Sequence, residues 1–198
     1  ILTVEAQMSE ASFKEAPRYG VRWRMPQEFA NVRFYGRGPW ENYCDRKDGA
    51  QFAIYSCTVN DMYVPYVRPQ ENGHRVDTRW LEIKNAKGRG LVIHAVGTPF
   101  EFNALHNSVE DFDAEESTAP YQWNNFVEND PHDVGRARNV MKKQTHVSDI
   151  SPRNFTEICI DSRMTGVGGD NSWGAETYEK YKVLTSQPQR LSFKIIPF

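Results

Sequence analysis

Apolar and polar positions alternate through most of this chain. In Tyr19-Gly20-Val21-Arg22-Trp23-Arg24-Met25 the odd positions are apolar and the even ones are Gly or Arg, a period of two that fits a half-buried strand. Val32-Arg33-Phe34 repeats the pattern briefly before Gly36, and Ile1-Leu2-Thr3-Val4-Glu5-Ala6-Gln7-Met8 also reads as a strand. Further strands are expected at 52–59, 80–84, 91–96, 155–160, 176–183 and 190–196, separated by Gly, Pro and Asn. Such spacing predicts an antiparallel all-β domain of packed sheets, and the lack of a β-α-β rhythm disfavours a doubly wound nucleotide fold. One segment departs from the alternation: Ser108-Val109-Glu110-Asp111 is expected to cap a short helix, with Ser and an acidic residue three positions apart. From 114 to about 139 the chain turns polar and irregular, as in Glu128-Asn129-Asp130-Pro131-His132-Asp133, and is expected to form a surface insertion. Its acidic cluster offers oxygen ligands to a cation such as calcium; a solvated turn is the plainer reading.

Composition narrows the class. With 198 residues, 39% hydrophobic and 13% aromatic, the chain can bury a core, and one domain is expected. A net charge of −2 with thinly spread basic residues leaves no Lys/Arg patch to follow phosphates, which disfavours nucleic acid as a partner. No apolar run reaches the length of a membrane span. Without an initiator Met or a signal-peptide pattern, Ile1 reads as a cut or processed start. Cys44, Cys57 and Cys159 fit neither a zinc pattern nor a disulfide framework, so buried free thiols are expected.

Three dense segments carry the candidate chemistry. In Val167-Gly168-Gly169-Asp170-Asn171-Ser172-Trp173-Gly174 a large aromatic sits in a glycine-bounded polar turn. Trp173 is either a lid folded back on its own core or a flat apolar face offered to a sugar ring. In Tyr35-Gly36-Arg37-Gly38-Pro39-Trp40-Glu41-Asn42-Tyr43-Cys44-Asp45-Arg46 there is no phosphate cradle; the segment reads as a tight loop in which Glu41, Asp45, Arg37 and Arg46 pair. The third segment, from Asp61 to Gly73, is a stiff strip with two prolines, and Gln70, Glu71 and Asn72 serve either sugar hydroxyls or a buried polar staple. Glycosidase chemistry needs two carboxyls across one bond, and spacing pairs none of Glu41, Glu71 and Asp170. His74, His94, His106, His132 and His146 form no ligand or triad pattern, and no Gly-x-Ser-x-Gly elbow is present. No catalytic or metal-ligating residue is therefore assigned.

Taken together the segments resemble the C-terminal, small-chain domain of large bacterial β-galactosidases of glycoside hydrolase family 2. The resemblance rests on Gly36-Arg37-Gly38-Pro39-Trp40-Glu41-Asn42-Tyr43 with Asp45-Arg46, on Pro65-Tyr66-Val67-Arg68-Pro69-Gln70-Glu71-Asn72-Gly73 with Thr78-Arg79, and on Thr145-His146 followed by Gly166 to Trp173. It implies a galactose-mutarotase-like antiparallel supersandwich, here lacking its N-terminal part. It implies, too, that the catalytic glutamates of this retaining hydrolase lie in another domain, so the isolated chain is expected to be inactive. Trp173 would stack on the aglycone sugar, while Gly168, Gly169, Asp170 and Asn171 shape its loop. Mg and Na, used in the family, would be bound by other domains, so no cofactor is expected in this chain. The implied partners are those domains, a galactoside and further copies of an oligomeric parent, in a soluble bacterial protein of cytoplasm or periplasm. Two other readings stand beside it: a carbohydrate-binding module using Trp173 and Trp40 or Tyr66, and a mutarotase-like enzyme, which requires a His/Glu pair.

Overall fold

The computed structural model describes residues 1–7, 13–112, 146–171 and 174–198. The expected insertion at 114–139 lies outside the described residues. The described strands are β1 (Leu2–Ala6), β2 (Glu15–Ala16), β3 (Arg18–Pro26), β4 (Asn31–Gly38), β5 (Gln51–Thr58) and β6 (Arg75–Thr78). They continue with β7 (Trp80–Lys84), β8 (Gly90–Ala95), β9 (Phe100–Leu105), β10 (Phe155–Met164), β11 (Val183–Leu184) and β12 (Gln189–Pro197). Among the described residues a single short α-helix, α1 (Val59–Met62), follows β5.

Six strands form one sheet in the order β1-β12-β8-β7-β4-β5, four form another in the order β3-β10-β9-β6, and β2 pairs with β11 alone. All these pairings are antiparallel. The fold is an all-β sandwich, as the alternation implies. Alternation also decides which side chains meet between the sheets, because successive residues of a strand point to opposite faces. Phe34, Leu81, Ile83, Ile93 and Phe193 come from the larger sheet; Phe100, Phe102, Ala104, Ile158 and Ile160 come from the smaller one, and all are fully buried. Phe34 meets Phe102 edge to face at 5.2 Å between ring centroids, and Trp23 stacks on Phe193 at 6.4 Å. Each buried aromatic or aliphatic side chain contributes about 1.5–3 kcal/mol relative to exposure, so this double row dominates the fold's stability.

Three local departures have identifiable causes. The segment 176–183 is not a strand: Glu179–Tyr181 form a 3-10 turn, and only Val183 and Leu184 pair, with Ala16 and Glu15. Lys182 draws Glu176 and Glu179 together at 2.9 and 3.1 Å, which curls the chain. At the end of β5, the Thr58 hydroxyl and N–H both donate to Asp61 Oδ2, at 2.7 and 2.8 Å, and the Asp61 N–H returns to Thr58 Oγ1 at 3.3 Å. That reciprocal cap starts α1 where the strand would otherwise run on. The turn after Ser108 does form, as a 3-10 helix over Val109–Asp111. The Asp111 carboxylate accepts the Ser108 N–H at 2.9 Å and is held by Arg153 at 2.5 Å. The Ser108 hydroxyl itself has no partner among the described residues.

Candidate functional site

The outer face of the four-stranded sheet is polar, and the two other motif segments are laid over it. Register places Gly20, Arg22 and Arg24 of β3 beside Asp161, Cys159 and Glu157 of β10, which in turn face Glu101, Asn103 and Leu105 of β9. Arg24 Nε donates to Glu157 at 2.9 Å, and Arg18 Nη2 donates to Asp161 at 2.5 Å. Glu71 descends from the covering strip and accepts from Arg18 at 3.3 Å and Asn103 at 3.2 Å. Burial pushes its carboxyl above the ordinary Glu value; the nearby Arg18 charge opposes that without cancelling it. Asn72, almost fully buried, accepts the Val64 N–H at 3.1 Å and donates to the Gln70 carbonyl at 3.0 Å. Glu71 and Asn72 thus act as a buried staple, while Gln70 contributes only its carbonyl and stays exposed.

A His/Glu pair, invisible in the sequence spacing, sits in this layer. His74 Nε2 lies 3.0 Å from Glu101 Oε2, which also accepts the Met164 N–H at 2.8 Å. The Tyr43 ring stacks on His74 at 5.3 Å, and the imidazole is completely buried, so no substrate reaches it. Sealed in this way, the pair ties the residue before β6 to β9 and is not the open acid–base site a mutarotase requires.

Glu41 is likewise committed. Its carboxylate accepts from Arg46 at 2.6 Å, from the Gly73 N–H at 2.8 Å and from the Tyr66 hydroxyl. Arg37 and Asp45 do not join it. Arg37 reaches Asp77 at 2.6 Å and the Ala50 carbonyl at 3.0 Å. Burial alone would raise the Asp77 pKa, but hydrogen bonds from Arg37 and Lys47 outweigh it and hold the carboxyl below its ordinary value. Asp45 crosses to the glycine segment, where its Oδ2 accepts the Gly168 N–H at 2.7 Å.

That segment is pinned on both flanks. Thr165 N–H donates to the Pro17 carbonyl and Gly166 N–H to the Tyr181 carbonyl, each at 2.9 Å. The Thr177 hydroxyl lies 2.8 Å from the Gly166 carbonyl and 3.0 Å from that of Gly168. Close approach accounts for two of the glycines: an added Cβ at Gly166 would meet Asp45 Oδ2 at 2.5 Å, and one at Gly169 would meet the Ala175 carbonyl oxygen at 2.3 Å. Gly168 is less crowded, with Asp45 Oδ2 at 3.3 Å, and the left-handed backbone falls at Gly174, φ +99°. Gly168, Gly169, Asp170 and Asn171 are all exposed, and the Asp170 carboxylate accepts from the Tyr178 hydroxyl. Ser172 and Trp173 lie outside the described residues.

Of the three candidate carboxylates, Glu41 and Glu71 are consumed by internal donors and Asp170 rests on an exposed loop. The thiols are free, with Cys159 buried and Cys44 and Cys57 half-buried; burial pushes Cys44 up to about 11. Among the described residues no group of three His, Cys, Asp or Glu gathers as metal ligands, and no helix is long and apolar enough to cross a membrane.

Two packed antiparallel sheets, a largely buried polar layer and adjoining exposed loops define, among the described residues, a β-sandwich. The chain belongs to the family described as beta galactosidase small chain, which it matches over residues 1–195. It is 31% identical to a beta-galactosidase of Priestia megaterium over 183 residues, 92% of this chain and 15% of that protein. Similarity to beta-galactosidase BgaC of Bifidobacterium adolescentis is 31% over 182 residues, covering 90% and 14%. For a beta-galactosidase of Streptococcus thermophilus it is 28% over 188 residues, covering 95% and 16%. The chain therefore spans about one seventh of the length of these relatives.

Proposed function

We propose that this chain is the C-terminal domain of a β-galactosidase, a retaining glycoside hydrolase whose nucleophile and acid–base carboxyls belong to another domain. One observation carries the reading: nearly the whole chain matches β-galactosidases, yet it accounts for only 14–16% of their length. The internal commitment of Glu41 and Glu71 supports it, since a retaining mechanism needs two carboxyls free to face one glycosidic bond. The other domains of the same polypeptide are its immediate partners.

Within that enzyme Trp173 is proposed to stack on the sugar in the aglycone position. Gly169 and the pinned residues 165–168 hold the flank of its loop, and Asp170 and Asn171 shape the turn without moving protons. Aromatic stacking is worth about 0.5–1.5 kcal/mol beyond area burial, or roughly 2- to 10-fold in an equilibrium constant. Trp173→Ala in the full-length protein should raise KM for a disaccharide galactoside by about that factor. Inhibition by free galactose should change little. Equal weakening of both would count against the aglycone role.

A further inference from the structure

The loop after β4 displays an aromatic side chain that the fold does not use. The Trp40 side chain is 79% exposed, although the backbone around it is fixed from several directions. Asn42 Nδ2 donates to the carbonyls of Arg37 and Trp40, both at 3.0 Å, and Arg75 Nη2 donates to the Pro39 carbonyl at 2.9 Å. Asn42 N–H donates to the His74 carbonyl at 2.8 Å, and Asn42 Oδ1 accepts from Val76 N–H at 3.0 Å. Asn42 and Arg75 are 1% and 3% exposed, so two buried polar side chains hold a loop whose most conspicuous product is an indole in solvent.

The indole is one wall of an open cleft of about 490 Å³, lined also by Glu41, Asp45, Arg46, Lys47 and Asp48. That volume falls within the usual range of small-molecule sites. Both cations of the lining are paired, Arg46 with Glu41 and Lys47 with Asp77 at 3.0 Å, and with Asp45 and Asp48 the lining holds three carboxylates to two cations. Both cations are already engaged, which disfavours an anion, and a flat apolar face ringed by carboxylate acceptors and paired donors matches a neutral, hydroxyl-rich ring. Asp45 ties the cleft to Gly168, so the cleft adjoins the glycine segment.

We propose that the Trp40 cleft is a second carbohydrate subsite, which takes a distal sugar unit of an oligosaccharide with the indole beneath its apolar face. The assignment of a galacto-oligosaccharide as ligand rests on the glycosidase reading above. In the full-length protein, kcat/KM of Trp40→Ala and Trp40→Phe is compared for galacto-oligosaccharides of two to five units and for nitrophenyl galactoside. The Ala variant should lose about 2- to 10-fold on the longer substrates relative to nitrophenyl galactoside, and the Phe variant should lose less. A loss independent of chain length, or one accompanied by a change of oligomeric state on size exclusion, would overturn the subsite. Trp173→Ala reports separately on the aglycone position. If the full-length protein hydrolyses no galactoside, the glycosidase reading fails and calorimetric titration of the same oligosaccharides decides. Weaker binding by Trp40→Ala supports the subsite, and equal or absent binding by both proteins overturns it.

Discussion

Glu71 shows how a side chain suited to binding sugar is diverted into structure. Its carboxylate is closed in by Arg18 and Asn103, and burial raises its pKa above the ordinary value of 4.5. The native state therefore keeps this proton to higher pH than the unfolded chain does. Between the unfolded and folded values, the unfolded state binds fewer protons, so stability falls as pH rises, by up to about 1.4 kcal/mol per pH unit. Glu71→Gln removes that titration while keeping an acceptor for Asn103. Unfolding of the purified chain followed from pH 4.5 upward should show the unsubstituted chain losing stability relative to the Gln variant. A difference between the two that does not vary with pH would show that Glu71 is ionised as readily in the folded state as in the unfolded one.

At the scale of elements, the glycine segment and the strands around it differ in what the sequence discloses. Gly169 has no room for a methyl group because the opposing atom is the backbone oxygen of Ala175, whereas the atom nearest a Cβ at Gly168 belongs to a side chain that can shift. Gly169→Ala should cost about 1–3 kcal/mol, as overpacking does, and Gly168→Ala about 0.5 kcal/mol or less. Thermal unfolding of both variants checks this; equal costs would mean that the close contact at Gly169 does not constrain the segment. The alternation in 19–25, 80–84 and 190–196 was enough to place β3, β7 and β12, because each of these strands buries one face and leaves the other wetter. It failed at 176–183, where Lys182 and its acidic neighbours favour a turn, and at α1, whose signal was the Thr58-x-x-Asp61 cap. β9 is covered on both faces, so Glu101 and Asn103 are buried although their polarity suggests a wet face. Their burial depends on chain 39–47 and 63–74 folding over the sheet, and no local pattern encodes such long-range cover. The His74–Glu101 contact was hidden for the same reason, and so were the Arg37–Asp77 and Asp45–Gly168 links.

For the whole molecule, the sandwich supplies the base: two sheets share one aromatic and aliphatic core, and the outer face of the smaller sheet carries a largely buried polar layer. The accessible loop surface includes Trp40 above its cleft and the exposed run from Gly168 to Asn171, joined to it through Asp45. On the proposed reading this surface recognises a sugar and another domain cleaves it: among the described motif segments Glu41 and Glu71 are bonded inward, and Asp170 accepts from Tyr178 on an exposed turn. The chain belongs to the small-chain family and spans about one seventh of the relatives' length, which is the ground for proposing that the chemistry lies in another domain. The most direct measurement is hydrolysis of nitrophenyl galactoside by the purified 198-residue chain beside the full-length protein at equal molar concentration. Turnover is expected from the full-length protein and none above buffer from the chain alone. A comparable rate from the isolated chain would contradict the assignment of the catalytic carboxyls to another domain.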